Sequence, residues 1–374
     1  MNKAQEPRVA IVHDWMLLGG AEKVVEQLLQ MYPDAPLYTS CISPDWQEKL
    51  KDRTVITGYL QSKLFQKIRK FTPFLRQKWF EKLDFSGYDI VVSSSGAEAK
   101  GVKVPGGVLH ISYCHAPTHY YWSRYEEYMK NPGFGPLNFL ARIGLKFLVR
   151  PMRKWDFKAA QRPQVMVANS SHIAAEIKKY YGRSAVVIHP PVDVARFIKT
   201  AKYTDRTGYI VAGRQTPYKR FDLAIEAANV LSLPLTVLGN GPDHARLVSL
   251  AGPSIQFKTN VSDTGMVNAF QTAKGFIFAG LDDFGITPVE AMAAGCPVIA
   301  YKAGGALDYV IQDETGIFFA EQNVIALTNA LKTFDDQKFR EEIVVKKAVS
   351  FGPERFRVQM RELVQNEFAK FQKH

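Results

Sequence analysis

An α/β fold in two halves, each built on a buried parallel sheet, is predicted by three observations. Short apolar runs bounded by turn residues recur along the chain, segments of helical spacing lie between several of them, and the alternation restarts after a polar stretch near residue 200. With 374 residues, 46% of them hydrophobic, the chain suits two ordinary domains better than one core.

The strands expected in the first half are RVAIV (8–12), YDIVVSS (88–94), VLHISY (108–113), QVMVANS (164–170) and AVVIHP (185–190). AEKVVEQLLQMY (21–32) and SHIAAEIKKYYG (171–182) have helical spacing. The polar stretch KTAKYTDRT (199–207) places a boundary at about residue 200 and gives domains 1–200 and 201–350. GYIVAG, LTVLG, IQF, GFIFAG and PVIAY then read as strands, and DLAIEAANVLS, MVNAFQTA and PVEAMAAG read as helices. In the last segment, 351–374, Phe356, Met360, Leu363, Val364 and Phe368 share one face of an amphipathic helix. In such folds ligands collect at the carboxyl ends of the strands, so chemistry is expected on the loops that follow them, along a cleft between the halves.

Forty-eight Lys and Arg against 36 Asp and Glu leave a formal charge of +12, which suggests an anionic partner: nucleic acid, a phosphorylated small molecule or an acidic membrane surface. The three cysteines, Cys41, Cys114 and Cys296, have no metal-ligand or CxxC spacing, so a reducing cytoplasm is expected. No stretch reaches the length of an apolar membrane span, and the N-terminus lacks the apolar run of a signal peptide. Residues 58–82 carry Lys63, Lys67, Arg69, Lys70, Arg76, Lys78 and Lys82 among Leu, Phe, Ile and Trp, and residues 141–158 repeat that character. These segments fit either adsorption to an anionic membrane face or two ordinary surface helices.

Four loops carry the candidate chemistry. After the strand GYIVA, Arg214 and Lys219 offer a planar fork and a movable point charge to phosphate oxygens. Gly239 and Gly241 in VLGNGPDHARL allow a tight turn, but His244 stands where a dinucleotide fingerprint needs glycine or alanine, and no P-loop sequence occurs. In LDDFGITPVEAMAAG, Thr287 as cap, Pro288 at the first turn and Glu290 three residues on from Thr287 fit a capping box. Asp282 lies before that helix, where a carboxylate can accept hydrogen bonds from sugar hydroxyls. In the first half, Gly19 and Gly20 sit between a strand and a helix, and His115 and His119 lie in CHAPTHYYW beside aromatics that fit either a stacking wall or a core.

Together these stretches resemble the GT-B glycosyltransferases of family 4: GGAE (19–22), CHAPTHYYW (114–122), ANSSHIAAEIKKYYG (168–182), HPPVD (189–193), GRQTPYK (213–219), GNGP (239–242) and DDFGITPVEAMAAGCPVIA (282–300). The resemblance implies two Rossmann-like domains facing across a cleft, the first for the acceptor and the second for a nucleotide-sugar donor, with the terminal helix returning to the first. It implies that Arg214 and Lys219 bind the donor diphosphate, Glu290 the ribose, and Asp282 with the backbone of Phe284, Gly285, Ile286 and Thr287 the transferred sugar. Gly241, Lys258 and Val261 fall on the donor side, the last two in KTNVS near the nucleobase. Gly19, Gly20, His115 and His119 fall on the acceptor side or in the cleft. His115, Asp282, Arg214 and Lys219 are the expected catalytic group. No metal cofactor is implied.

The expected activity is retaining transfer of a hexose, mannose from GDP-mannose, to a lipid-linked or glycan acceptor in cell-envelope glycoconjugate synthesis. With the cysteine usage and the basic segments 58–82 and 141–158, this gives a cytoplasmic protein resting on the inner face of the membrane, with no nucleic-acid partner. Two rivals remain: a UDP-sugar transferase or GT-B epimerase using the same diphosphate site, and a non-catalytic basic binding protein. Asp282 departs from the family, whose pattern has two glutamates with seven residues between them, and His119 stands where many mannosyltransferase-like relatives carry arginine.

Overall fold

The computed structural model describes residues 7–17, 19–68, 72–130, 132, 135, 138–198 and 206–373. The boundary expected at residue 200 and two cations of the first basic segment, Arg69 and Lys70, lie outside them. The chain divides into two compact units, Met1–His189 with Phe356–His374, and Pro190–Arg355.

The first unit holds seven strands: β1 (Val9–His13), β2 (Leu37–Thr39), β3 (Val55–Ile56), β4 (Ile90–Ser95), β5 (Leu109–Cys114), β6 (Val165–Ala168) and β7 (Val186–Val187). They form one parallel sheet in the order β3-β2-β1-β4-β5-β6-β7. The central strands β1, β4 and β5 are buried along their whole length; β1 is apolar up to His13, whereas β4 ends in Ser93, Ser94 and Ser95, and β5 puts His110 and Ser112 on one buried face. The strands β2 and β3 span three and two residues and stand where polar residues break the apolar run.

The second unit holds β8 (Tyr209–Ala212), β9 (Leu235–Leu238), β10 (Ile255–Lys258), β11 (Gly275–Phe278), β12 (Val298–Tyr301) and β13 (Gly316–Phe319), again all parallel, in the order β10-β9-β8-β11-β12-β13. In each sheet the chain winds outward from one central strand, then returns to that strand's other side. The reversal falls between β1 and β4 in the first unit and between β8 and β11 in the second. At such a point the loops leaving the carboxyl ends diverge to opposite faces and leave a crevice for a ligand.

The terminal helix Pro353–Phe371 places Phe356, Met360 and Val364 in the same buried cluster as Val24, Leu28 and Ile111 of the first unit, with Leu363 and Phe368 against it. A period of three to four residues on one face makes that burial possible.

Two local expectations are corrected. The helix beginning in LDDFGITPVEAMAAG starts at Ile286, not after a Thr287 cap; it follows Gly285, whose φ of 87° turns the chain into the helix, and no side chain caps it. Thr287, Pro288 and Glu290 are therefore all inside the helix. Arg76 is no surface cation: it is buried and forks onto Glu98, with Nε and Nη2 donating at 2.9 and 2.7 Å.

Candidate active site

In the second unit the loops after β8, β9, β10, β11 and β12 all leave from one edge of the sheet. The β8 loop makes a short 3-10 turn, Pro217–Lys219, and then reverses at Arg220, a non-glycine residue at φ 52°. That conformation is held because the Arg220 side chain is tied to Asp222 and to Gln322. Lys219 is thereby aimed across the reversal point. Its Nζ donates to Asp282 Oδ2, on the β11 loop, at 2.7 Å.

Asp282 is held from behind. Its main-chain carbonyl accepts the N–H of Gly305 at 3.0 Å, so the β12 loop braces the β11 loop. Both partners of the ion pair are largely buried. Asp282 Oδ1 is also buried and has no hydrogen-bond partner among the described residues, and the same holds for the Tyr309 hydroxyl. A buried polar atom left unpaired costs about 1–3 kcal/mol, which points to a group that the site is built to receive. Burial, then the nearby Asp282 and Asp308, push the Tyr309 hydroxyl well above the usual phenol range, so it is protonated and a donor.

The β9 loop is knitted to the β8 loop by Gln215, which is fully buried. Its Nε2 donates to the Gly239 carbonyl at 2.7 Å, and its Oε1 accepts from His244 Nδ1 at 2.7 Å. Gly241 lies so close to the Gln215 backbone that a Cβ would fall on its carbonyl oxygen, so this glycine serves loop-on-loop packing. Lys258 is exposed at the end of β10, while Val261 packs on the core. Arg214 is exposed and forms no ion pair among the described residues. Phe284 turns its ring into the core against Tyr309 and Phe351, leaving only its backbone for a ligand. Glu290 is half-buried on the helix Ile286–Ala293 with Thr287 one turn before it.

In the first unit the reversal point is closed by Asp14, just past β1. Its Oδ2 accepts the N–H groups of Gly96 and Ala97 at 2.7 and 2.9 Å, and Oδ1 accepts that of Ala99 at 2.7 Å. Beside it, His13 Nδ1 lies 2.8 Å from the Ser94 carbonyl. A carbonyl only accepts, so Nδ1 carries the hydrogen of this contact. Ser94 Oγ in turn lies 2.8 Å from His115 Nε2, and the His115 carbonyl accepts from Asn169 Nδ2 at 2.8 Å. His115 is thus oriented from both ends, its ring edge-on to Tyr113 and His13.

His119 takes a separate place, its Nδ1 2.9 Å from Ser123 Oγ. Gly19 and Gly20 are exposed and lead into the helix Ala21–Met31, where Glu22 Oε1 accepts the Leu17 N–H at 3.1 Å. The aromatics of CHAPTHYYW are anchored: Trp122 Nε1 and the Tyr181 hydroxyl donate to Asp156 Oδ2 at 2.7 and 2.6 Å, and Thr118 donates to Oδ1 at 2.9 Å. Lys100, fully buried, completes that cluster 2.7 Å from Asp156; burial opposes its charge, but Asp156 outweighs it and raises its pKa. This cluster sets the course of the segment that carries His115.

Sequence reasoning nominated Lys219 and Asp282 separately, and the structure joins them. It missed Asp14, His13, Ser94, Gln215, Tyr309 and the Lys100–Asp156 pair. The signal for the first three was present, as His13 and Asp14 end one apolar run and Ser94 another. Nothing local marked Gln215 or Tyr309.

Two parallel-sheet α/β domains, with charged loops gathered at the carboxyl edge of the second, define the GT-B class of glycosyltransferase fold. Family models agree: Glycosyltransferase Family 4 matches residues 18–196, and Glycosyl transferases group 1 matches residues 195–348. The chain belongs to this glycosyltransferase family. It is 28% identical over 255 residues to the mouse GDP-Man:Man(3)GlcNAc(2)-PP-Dol alpha-1,2-mannosyltransferase, covering 59% of this chain and 52% of that one. It is 23% identical to the alpha-1,3/1,6-mannosyltransferase ALG2 of Dictyostelium discoideum over 83% of this chain and 86% of the other. Against several curated relatives the chain spans about half of their length. In fold it is similar to the Anabaena protein Alr3699/HepE solved with UDP, with a TM-score of 0.68, 15% identity, and 96% and 100% of the two chains covered.

Proposed function

We propose that this protein transfers a hexose, mannose from GDP-mannose, to a hydroxyl of a lipid-linked or glycan acceptor with retention at the anomeric carbon. The observation that carries the reading is the Lys219–Asp282 pair at the reversal point of the second sheet, a cation for diphosphate beside a carboxylate for sugar hydroxyls. The relatives named as mannosyltransferases favour mannose. The Anabaena structure solved with UDP keeps a UDP-sugar donor as the second reading.

In the reaction, the bond from the anomeric carbon to the donor phosphate oxygen breaks, and the acceptor oxygen bonds to that carbon on the same face. The acceptor proton passes to the departing diphosphate, so no protein nucleophile is required. Arg214 and Lys219 stabilise the charge that develops on the leaving oxygen, where fixed positive groups in a poorly hydrated site act most strongly. Asp282 and the backbone of Gly285 to Thr287 hold the sugar, and Glu290 the ribose. Gly241, Lys258 and Val261 lie on the loops that face the nucleotide. In the first unit His115, oriented by Ser94, is assigned to the catalytic group, and Gly19, Gly20 and His119 to acceptor recognition.

We place the acceptor at a membrane surface. On the helix Asn138–Ala160, Phe139, Leu140, Ile143, Phe147 and Leu148 are exposed beside the exposed cations Lys146 and Arg150. An apolar stripe flanked by positive charge suits an anionic lipid interface. The first basic segment contributes less, because Arg76 is buried. No helix among the described residues is long and apolar enough to cross a membrane. Sedimentation with liposomes tests the docking: binding to anionic but not neutral vesicles, reduced in Phe147→Glu, is expected, and equal failure with both vesicle types opposes it.

A panel of GDP- and UDP-sugars with extracted lipid acceptors, read by nucleoside diphosphate release, tests the activity. Release from GDP-mannose is expected, exclusive use of UDP-sugars selects the second reading, and inertness toward all donors contradicts the enzyme.

A further inference from the structure

The Lys219–Asp282 pair has a geometry that bears on how the site would tell its donor from its product, on the reading of the second unit as the donor site. Both residues sit on loops with little freedom to withdraw. Gly280 lies against the Lys219 backbone so closely that a Cβ would come within 2.8 Å of Lys219 Cα, and the Asp282 carbonyl is fixed by Gly305 N–H. When a diphosphate draws Lys219 toward itself, the braced carboxylate cannot follow. It then needs another donor, and its second oxygen, Oδ1, already has none among the described residues.

We propose that Asp282 is a counter-ion exchanged for the diphosphate on Lys219, so that the site favours the intact nucleotide sugar and expels the nucleoside diphosphate left after transfer. With the intact donor bound, sugar hydroxyls satisfy Asp282 as Lys219 turns to phosphate. With the nucleoside diphosphate alone, the carboxylate is left buried, unpaired and beside a terminal phosphate of its own sign. Departure of the sugar with the acceptor thus restores the ion pair at the expense of the product. Asp282 thereby sets specificity for the donor over the product, apart from its contact with the sugar. Here the shorter arm of aspartate matters, since its carboxylate is braced closer to its own backbone than a glutamate's.

Isothermal titration of wild type and Asp282→Asn with GDP, UDP and GDP-mannose, without acceptor, tests this. The variant removes the competing charge and keeps the size. It is expected to bind the nucleoside diphosphate about tenfold more tightly than wild type, while the preference for intact donor over diphosphate shrinks. Unchanged or weaker diphosphate binding by the variant overturns the proposal. A second arm needs no variant: a nucleoside diphosphate that binds wild type as tightly as the intact donor also overturns it. If neither GDP nor UDP binds wild type at all, the donor-site reading itself fails, an outcome distinct from diphosphate binding that is indifferent to Asp282.

Discussion

Each unit carries an aspartate at the reversal point of its sheet, and the two are used differently. Asp14 accepts three backbone N–H groups and joins the end of β1 to the turn after β4; it is a closed fastening. Asp282 has one oxygen on Lys219 and the other without a hydrogen-bond partner among the described residues. Both sheets thus place a carboxylate at the reversal point, Asp14 after the strand before it and Asp282 after the strand beyond it, but only one leaves it with unspent capacity. A buried carboxylate whose acceptors are all occupied holds structure, and one with an acceptor left over is ready for a ligand.

The strongest way to break that contrast is to remove the fastening. Asp14→Ala strands three backbone N–H groups, and a loss of on the order of 4 kcal/mol in the unfolding of the first unit is expected in urea titrations. A loss under about 1 kcal/mol would mean that Asp14 is not a fastening. Next in size is Lys219→Ala, expected to lower turnover in the donor panel by about 10²–10³-fold, the scale of removing one group that stabilises the leaving charge. A drop of less than about tenfold would remove Lys219 from the chemistry.

A smaller, pH-dependent effect separates the units. Burial, and then Arg162, depress His110 to about 3, and its Nε2 lies 2.8 Å from Ser93 Oγ. As pH falls the unfolded chain takes the proton first, near 6.5, while the folded ring stays neutral until near 3. His110 therefore supports the fold fully above pH 6.5 and loses that support on descent through this window. Between pH 6.5 and 5 the first unit is expected to lose about 2 kcal/mol. The second unit has no buried histidine among its described residues, and its transition should stay flat. Melts of wild type and His110→Gln at both pH values check this, with a flatter profile expected in the variant. Smallest is Tyr309→Phe: deleting a hydroxyl without a partner should leave stability within about 1 kcal/mol of wild type or raise it. A larger loss would show that the hydroxyl is satisfied after all and that the second site is as closed as the first.

Much of the architecture was legible because most of the parallel strands contain a short apolar run bounded by turn residues, and ten of the thirteen lie in such runs. Length does not set the missing ones apart, since β6 to β12 also span two to four residues: β2 and β3 stand in PLYTS and TVITG, where polar residues break the apolar run, while β13, GIFF, is a readable run. Site residues were legible where a charge or glycine follows such a run, as with Arg214, Lys219 and Asp282. Their contact was not, because it joins residues 63 positions apart through the adjacency of β8 and β11. Arg76 read as a surface cation because its partner Glu98 lies on a different loop, and Asp156 was hidden in a basic stretch although it anchors Thr118, Trp122 and Tyr181. Sequence spacing reports which residues share an element; pairing across elements is set by topology.

The central claim, that the second unit's reversal point receives the donor while the first unit's is closed, is tested most directly by hydrogen–deuterium exchange with saturating GDP or UDP. Slowed exchange is predicted in residues 213–219 and 281–290, with residues 94–99 unchanged. Protection confined to the first unit, or none at 213–219 and 281–290 with nucleotide bound, would contradict the account.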